Sequence, residues 1–367
     1  MVTKIIQALA GAGKTHHITN NLNKCKRYLI ITYTNANTNQ IKNDLLASSL
    51  SPDQYIVATF SKFLIDWFIN PYLSLLKPHL PVIKGFTTAV PSYYSKDNSH
   101  NNYIRRDNVG HYVVKNNLYL DRISDLISFQ TNFLLDKMFK RISLFVDEVI
   151  IDEYQDLTGY DFSMLQLLVK QKYFDVLLIG DVYQAGVQRS CIRGNNSKSK
   201  MISFDSSDNI KEFLETIFKS KNLEIDDTSL VKSRRISEDC AKLVSEYLNI
   251  EIESEGKSTG HVYFIKDINK LKQLLSKDER IVILTYNRKT QYPISNKYDT
   301  WTYCKGMTYE NVLVVLTDNA KFIFNGSKPK KALKGKARNC LYVALTRASH
   351  NLYLVTKDTW KEFKSFY

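Results

Sequence analysis

The sequence predicts an α/β fold with parallel sheets, and three observations support that prediction. Short apolar runs rich in β-branched residues alternate with helical stretches, a glycine-rich turn follows the first run, and an acidic pair ends another. Alternation of this kind is typical of βαβ units. Because 367 residues exceed what one core organises, we expect two or three domains. Strands are predicted at residues 5–9, 28–33, 56–59, 148–151, 176–180, 280–285 and 312–317.

A phosphate-binding turn is predicted directly after the first strand, in the string QALAGAGKT. The pattern GxxxxGK[ST] is matched except at its first position, which is Ala8. Backbone N–H groups of such a turn face phosphate oxygens, Lys14 adds a positive charge, and Thr15 can hold Mg²⁺. The residues predicted to hold the nucleotide here are Ala10, Gly11, Ala12, Gly13, Lys14, Thr15 and His16.

An acidic pair ends the apolar run in VIIDEYQD, residues 149–156. Asp152 is expected at the strand tip, where its carboxylate can hold Mg²⁺ through water. Glu153 can then orient and deprotonate an attacking water molecule. The upstream pair Asp147 and Glu148 lacks the trailing Gln-Asp, so we predict that it caps the preceding helix or loop.

The charge balance favours a polyanionic partner. Lys and Arg number 51 against 37 Asp and Glu, which gives a net charge of +14. Nucleic acid is the natural candidate, because neutralising its phosphates releases counterions. The alternative is a basic composition inherited from a Lys-rich proteome.

Cysteine usage and hydropathy indicate the compartment. The five cysteines are scattered and form no C-x-x-C pair, which argues against a disulfide framework or a zinc site. No segment is apolar over the length of a membrane span. We therefore expect a soluble, intracellular protein of the cytoplasm with no membrane partner.

Three polar stretches are predicted to form loops. Residues 86–117 are rich in Asn, Ser and Tyr, residues 191–200 read CIRGNNSKSK, and residues 326–338 are strongly basic. The string KPKKALKGKAR, residues 328–338, holds six basic residues and no acidic one, and we predict that it projects as a loop before a strand formed by the following apolar string LYVAL. Its lysines are either a solvated charge run or a phosphate anchor, for which the candidates are Lys330, Lys331, Lys334 and Lys336.

Nine segments in a fixed order resemble the motifs of superfamily 1 helicases of the UvrD/Rep kind. They are ALAGAGKT for motif I, ITYTNANTNQI for Ia, ATFSKF for Ib, IIDEYQD for II, LLIGDVYQ for III, LVKSRRIS for IV, ERIVILTYNR for IVa, DTWTYCKGMTYENV for V and LYVALTRA for VI. The strings DExQD, GDxxQ and YVALTRA in this order are highly specific.

This resemblance implies two tandem RecA-like domains of a P-loop NTPase, residues 1–228 and 229–367. A small insertion is implied in the first domain at about residues 64–140. The segment between motifs IVa and V spans only residues 289–298, so the large 2B insertion of UvrD-like enzymes is missing.

The resemblance also implies that the cleft between the domains binds ATP and Mg²⁺. Lys14 and Thr15 would bind the β- and γ-phosphates and the metal, and Asp152 would support the metal. Glu153 is the implied general base. The remaining implied residues are Gln184 as γ-phosphate sensor, Arg235 and Arg347 as arginine fingers, and Arg234 and Gly306 at the nucleotide.

A nucleic-acid face is implied across both domains. The residues at motif positions that contact single strands in relatives are Tyr33, Asn35, Thr59, Phe60 and Thr300. Hydroxyl and amide groups would hold phosphates, and aromatic rings would stack on bases. Phe60 could equally be a core residue.

Some positions depart from the family pattern. Motif III continues as QAGVQRSCI, without the aromatic residues that stack on bases in UvrD-like enzymes. Arg234 replaces the motif IV tyrosine that packs on adenine, although a guanidinium can also stack. Thr308 stands where the motif V glutamate is common, and Ser61 where a motif Ib histidine is common.

We predict an ATP-dependent translocase that moves 3′→5′ on single-stranded nucleic acid, with DNA favoured over RNA. One alternative is an RNA helicase of a viral or mobile-element replication system, because KGMTY resembles the viral QGxTY string. A second alternative is a nucleic-acid-sensing ATPase switch that gates a partner without unwinding. A minimal motor of this size is also expected to use a protein partner or an oligomer.

Overall fold

Two all-parallel β-sheets, one in each half of the chain, organise the computed structural model and confirm the predicted α/β class. The structure describes residues 1–89, 104–187, 202–204, 209–220, 222–290, 294–327 and 333–366. In chain order the strands are β1 (Thr3–Ala8), β2 (Tyr28–Thr32), β3 (Tyr55–Thr59), β4 (Gly85–Thr87), β5 (Val113–Val114), β6 (Asn117–Tyr119), β7 (Glu148–Asp152), β8 (Asp175–Gly180), β9 (Leu223–Leu230), β10 (Lys232–Ser233), β11 (Glu253–Ser254), β12 (Val262–Ile265), β13 (Val282–Thr285), β14 (Tyr298–Thr300), β15 (Val312–Leu316) and β16 (Leu352–Thr356).

The helices lie mostly between these strands. They are α1 (Lys14–Asn20), α2 (Asn35–Leu46), α3 (Phe60–Leu64), α4 (Ile123–Ser128), α5 (Asn132–Ser143), α6 (Tyr160–Lys170), α7 (Ile210–Phe218), α8 (Glu238–Leu248), α9 (Ile268–Lys277), α10 (Lys321–Phe324), α11 (Gly335–Leu345) and α12 (Lys357–Lys364). None of the described helices is both long enough and apolar enough to cross a membrane.

The first sheet has the strand order β3-β2-β7-β8-β1-β9. Alternate residues of each strand enter two different cores, as the two-residue period of a strand requires. On one face of the sheet, Ile6 and Ile30 pack with Ile18 of α1 and Ile41 of α2. On the other face, Ile5 of β1 and residues that alternate with Ile30 along β2 join the larger core. Because β1, β8 and β7 are neighbours, the loops after these strands meet at one edge of the sheet.

An insertion between α3 and β7 carries a small sheet of order β4-β6-β5 and two helices. The sequence of α5 explains where this helix begins and which of its faces is buried. Thr131 caps it by accepting the N–H of Leu134, and the apolar residues Leu135, Met138, Phe139 and Ile142 repeat at helical spacing and are buried. The predicted loop at residues 86–117 lies here and contains only short elements within its described part.

The second sheet has the order β12-β16-β15-β13-β14. One face packs on α9 and α12 through Leu271, Leu275, Trp360 and Phe363. The other face joins the large core that continues into the first half of the chain. We call the part up to Leu230, where the first sheet ends, the first lobe, and the part after it the second lobe. The predicted division after residue 228 falls inside β9 and stays a prediction.

Most strand predictions are confirmed to within two residues, since β1, β2, β3, β7, β8, β13 and β15 all lie where apolar runs predicted them. The placement of motif VI on a strand is wrong. Residues 335–345 form α11, and every residue from Arg338 to Leu345 is buried in it. The basic stretch 326–338 therefore ends inside a helix, and residues 328–332 and 191–200 lie outside the described part of the chain.

Candidate nucleotide site between the lobes

The glycine-rich turn after β1 forms the floor of the site. Gly11 and Gly13 have φ angles of +76° and +85°, a region that glycine adopts without strain. A Cβ atom on Gly11 would lie 2.5 Å from Ser233 Oγ and 2.8 Å from Arg235 Cβ, both in the second lobe. The N–H of Arg234 also donates to the Gly11 carbonyl over 2.9 Å. The turn is thus in direct contact with the opposite lobe.

The acidic pair lies where the sequence predicts it, at the end of β7. Asp152 is 5% exposed, and its Oδ1 atom is buried without a hydrogen-bond partner in the described part of the chain. Burial raises the pKa of Asp152, and the Glu153 charge adds to that shift while Lys14 opposes it. A buried oxygen that lacks a donor, in a cavity that Thr15 also lines, suits a hard cation such as Mg²⁺.

Glu153 lies between two lysines from different lobes. Its Oε1 is 3.3 Å from Lys14 Nζ, and its Oε2 is 4.0 Å from Lys305 Nζ. Burial would raise the pKa of Glu153, but the charges of the two lysines outweigh burial and lower it. Glu153 has φ 54° and ψ 40°, a conformation that costs a non-glycine residue energy and is common at functional sites.

Motif III holds a buried polar network. Gln184 Nε2 donates to Asp181 Oδ2 over 2.8 Å, and Gln7 Nε2 donates to Asp181 Oδ1 over 3.0 Å. The Tyr342 hydroxyl of α11 donates to Asp181 Oδ2 over 3.1 Å and accepts the N–H of Ala10 over 2.9 Å. A single tyrosine of the second lobe therefore joins motifs I and III of the first.

Two arginines of the second lobe face the same cavity. Arg347 donates to the carbonyls of Val343 and Met307, and Arg235 donates to the carbonyl of Thr346. Neither forms an ion pair with a carboxylate among the described residues. Burial and the Arg347 charge lower the pKa of Arg235 to about 9, and burial lowers the pKa of Arg347. Arg347 is buried and Arg235 is half-buried, and cations so removed from water with no carboxylate partner among the described residues are suited to an anionic ligand.

Together these groups line a cavity of about 360 Å³ between the lobes. The predicted site residues that line it are Gly11, Ala12, Gly13, Lys14, Thr15, Asp152, Glu153, Gln184, Arg234, Arg235, Gly306 and Arg347. Ala10 and His16 do not line it, since Ala10 is buried beneath the turn and the His16 side chain is exposed. Residues that the sequence did not predict also line it, including Asn37, Gln40, Thr308 and Ser349.

Lys305 is the main site residue that sequence reasoning missed. It belongs to the segment after β14, and its ammonium pairs with Asp156 over 2.5 Å, with both side chains buried. It also donates to the Gln184 carbonyl over 3.4 Å. Burial raises the pKa of Asp156, and the Lys305 charge opposes that shift. The Lys-Gly pair in motif V is the sequence signal that could have pointed to it.

The predicted nucleic-acid residues lie at the carboxyl ends of strands, but not all are accessible. Asn35 is exposed at the start of α2, Tyr33 is half-buried, and Thr59 caps α3. Phe60 is 5% exposed and packs on Phe63 with a centroid distance of 6.2 Å. Its ring is part of the core and cannot stack on a base in this structure. The Thr300 side chain is likewise buried.

The structure also corrects the predicted role of Asp147 and Glu148. Asp147 accepts the backbone N–H of Arg27 and pairs with its guanidinium over 2.9 Å. Glu148 starts β7 and pairs with Lys26 over 2.9 Å. The two carboxylates therefore join the starts of neighbouring strands instead of capping a helix.

Comparison with known proteins places these features in a family. The viral superfamily 1 RNA helicase core domain matches residues 104–356, well over half of the chain. No curated protein matches the sequence. The match confirms the predicted superfamily and the tandem RecA-like architecture, whereas it gives no specific support to the UvrD/Rep group.

Solved structures to which the chain is similar include viral helicases. The chain is similar to the PRRSV helicase, with 12% identity and a TM-score of 0.46 over 97% of this chain and 52% of that one. It is also similar to arterivirus nonstructural protein 10 (helicase) in complex with DNA, with 16% identity and a TM-score of 0.47 over 99% of this chain and 63% of that one. The chain thus spans between half and two thirds of these proteins. By the match to its core, the chain belongs to the viral superfamily 1 RNA helicases.

Proposed function

We propose that this chain is an ATP-driven helicase motor that hydrolyses ATP between its lobes while it moves along single-stranded nucleic acid. One observation carries this proposal. A single cavity brings Lys14, Asp152 and Glu153 of the first lobe against Arg235 and Arg347 of the second. The family match to helicases supports the same activity.

The first lobe supplies the groups that bind phosphate and hold the metal. Lys14 and the turn N–H groups would bind the β- and γ-phosphates, and Thr15 and Asp152 would hold Mg²⁺. Mg²⁺, when bound, neutralises charge on the phosphate oxygens. The orphaned Oδ1 of Asp152 supports this assignment, because the cation would satisfy a buried acceptor that the described protein groups leave unpaired.

Glu153 is the proposed general base for the attacking water. Its pKa is lowered by Lys14 and Lys305, so the carboxylate is ionised and able to accept a hydrogen bond from water. Phosphate groups would compete with Glu153 for the Lys14 ammonium, which lies 3.3 Å away. Release from Lys14 would make Glu153 a stronger proton acceptor at the moment when substrate is in place.

Arg235 and Arg347 are the proposed arginine fingers. They line the cavity from the lobe opposite Lys14. The negative charge on the transferring phosphoryl group would therefore be fully neutralised only when both lobes are in contact. Gln184, held by Asp181, would sense that group from motif III. Hydrolysis would therefore be coupled to the relative position of the lobes.

RNA is the proposed main substrate. The family is one of RNA helicases, and the predicted preference for DNA has no support in the match. The predicted 3′→5′ direction depends on the likeness of motifs Ia and VI to the UvrD/Rep group and stays a prediction. The DNA in the similar solved complex is bound by the arterivirus helicase, so it does not decide which nucleic acid this chain prefers.

ATP turnover with and without single-stranded RNA or DNA, beside strand displacement on 3′- and 5′-tailed duplexes, tests the proposal. We expect stimulation by RNA and displacement from one tail only. Stimulation without displacement from any duplex would favour the ATPase switch that gates a partner. Equal turnover with and without either nucleic acid would refute the motor.

A further inference from the structure

The outer side of α5, in the insertion of the first lobe, holds large apolar side chains in solvent. Phe133 is 73% exposed, Leu144 is 65% exposed, and Phe145, which follows the helix, is 51% exposed. The exposed residues at helical spacing along α5 are Phe133, Lys137, Lys140 and Leu144. They form one stripe about 16 Å long, which we call, together with Phe145, the α5 face. Exposed apolar residues grouped in this way mark an interaction surface.

The carboxyl end of the α5 face is held in place by neighbouring groups. The Arg27 guanidinium donates to the Leu144 carbonyl over 2.8 Å. The Phe145 ring meets the Trp67 ring with a centroid distance of 6.0 Å, and the Arg141 guanidinium lies 5.5 Å from the centre of the Phe145 ring. Because these contacts already fix the backbone and the ring, little conformational freedom is lost when a partner packs on this end.

The α5 face is positively charged. Lys137, Lys140 and the adjoining Arg141 form no ion pair with a carboxylate in the described part of the chain. The carboxylates of α5 and of the residues next to Trp67 and Phe145 are already neutralised, in the ion pairs Asp136–Lys172, Asp66–Lys62 and Asp147–Arg27. Electrostatic complementarity therefore favours a partner whose apolar residues are flanked by carboxylates.

Other occupants fit the α5 face poorly. A second copy docked about a two-fold axis would place the same cations against each other, and like charges oppose association. A lipid surface requires a continuous apolar face to insert, whereas Lys137 and Lys140 lie between Phe133 and Leu144. The sequence outside the described residues also contains no segment that combines apolar residues with a net negative charge.

We propose that the α5 face docks an acidic amphipathic helix of a partner protein. Apolar residues three or four positions apart in that helix pack on Phe133, Leu144 and Phe145, and its carboxylates pair with Lys137 and Lys140. The backbone groups of α5 bond within the helix, so α5 offers only side chains, which a second helix can match along its length.

This docking site is separate from the proposed ATP site and does not depend on the proposed motor function. The segment after α5 enters the amino end of β7, whereas the acidic pair lies at the carboxyl end of that strand. None of the described residues that line the cavity between the lobes belongs to α5. A partner on the α5 face is therefore compatible with nucleotide in the cavity.

Binding of a synthetic helical peptide to the full chain tests the docking site. The peptide has Leu at helical spacing and Glu at the flanking positions, and a second peptide has Lys in place of each Glu. The Glu peptide should bind, and its affinity should fall as the salt concentration rises. Phe133→Ser and Leu144→Ser should each weaken its binding by about 10-fold or more, because burial of an apolar side chain is lost.

Leu46→Ser is the matched control. Leu46 is 69% exposed at the end of α2, a helix that packs on the other face of the first sheet. This variant should bind the Glu peptide as the wild type does. All three serine variants should keep the wild-type melting temperature and ATP turnover. An absence of ATP turnover in the wild type itself would refute the motor and not the docking site.

Four results would overturn the docking site. They are no binding of the Glu peptide to the wild type, equal binding of the Lys peptide, wild-type affinity in both Phe133→Ser and Leu144→Ser, and a wild-type dimer that these two variants abolish. Loss of binding to anionic vesicles or to single-stranded RNA in the two variants, in place of peptide binding, would assign the α5 face to lipid or nucleic acid and also overturn the proposal.

Discussion

At the level of single residues, removal of the Lys305 ammonium should affect both the stability of the fold and ATP turnover. It is a buried cation of the second lobe that pairs with Asp156 of the first and lies 4.0 Å from Glu153. Lys305→Met should destabilise the chain by roughly 3–5 kcal/mol, because it leaves a buried carboxylate without its partner. The melting temperature and nucleic-acid-stimulated ATP turnover should both fall.

The double variant Lys305→Met with Asp156→Asn separates stability from function. Removing both charges should restore much of the melting temperature, since no buried charge of this pair remains unpaired. Stimulated turnover should stay low, because Glu153 has lost a cation that holds it. Full recovery of turnover in the double variant would show that Lys305 only stabilises the fold.

Most residues predicted for the proposed ATP site line one cavity, whereas the contacts between the lobes could not be predicted from the sequence. Lys14, Asp152 and Glu153 sit in short strings whose spacing reports their chemistry. Lys305 and Asp156 are far apart in sequence, and no local pattern brings them together. For Phe60 the opposite holds. Its motif position predicted a contact with nucleic acid, but that position does not show that the ring is buried in the core.

At the level of secondary-structure elements, the turn after β1 can accept only certain residues. Both its backbone conformation and its contact with the second lobe restrict them. Gly11→Ala should lower the melting temperature and ATP affinity, because a Cβ atom would clash with Ser233 and Arg235. A positive φ alone costs a non-glycine residue roughly 1–2 kcal/mol.

Gly256→Ala is the control for that strain. Gly256 has a φ of +72° but no atom within 4 Å of the Cβ position. It should lose stability through strain alone and keep normal ATP affinity. Equal effects of the two substitutions on ATP affinity would mean that the contact between turn and second lobe is unimportant.

Element prediction succeeded where patterns were clear. Strands β2, β7, β8 and β15 are continuous apolar runs of strand length, as expected for parallel sheets with two covered faces. α11 was misread because LYVAL is apolar and buried on all sides, and such a run has no period that separates helix from strand. β9 was missed because LEIDDTSL is polar at an exposed sheet edge.

At the level of the whole molecule, the net charge of +14 should make RNA binding depend on salt concentration. Replacing Lys330, Lys331, Lys334 and Lys336 with Ser should weaken RNA binding and reduce the salt slope by about 1 for each phosphate that is no longer neutralised. Arg338 of the same string is not available for phosphate, because it is buried and its Nη2 donates to the Phe204 carbonyl.

A matched variant removes the same charge elsewhere. Lys242, Lys266, Lys270 and Lys277 are exposed on the second lobe and lie outside the basic string of residues 328–338. Their replacement with Ser should leave the salt slope closer to that of the wild type. Identical slopes in both quadruple variants would assign the effect to net charge and not to a localised anchor. A protein partner or oligomer for processive unwinding stays a prediction at this scale.

The proposed chemistry requires one cavity between the lobes to hydrolyse ATP with Glu153 as the general base. Glu148→Gln serves as the control, since Glu148 lies at the opposite end of β7 and pairs with Lys26. That variant should turn over ATP at the wild-type rate. Any loss in it would measure the general cost of removing a carboxylate from this strand.

The most direct measurement is steady-state ATP turnover by Glu153→Gln in saturating single-stranded RNA, with ATP affinity measured in parallel. We predict that ATP still binds, because Lys14 and the turn remain, and that turnover falls by about 100-fold or more. Turnover near the wild-type rate, with ATP affinity intact, would contradict the assignment of the base and with it the proposed chemistry of this cavity.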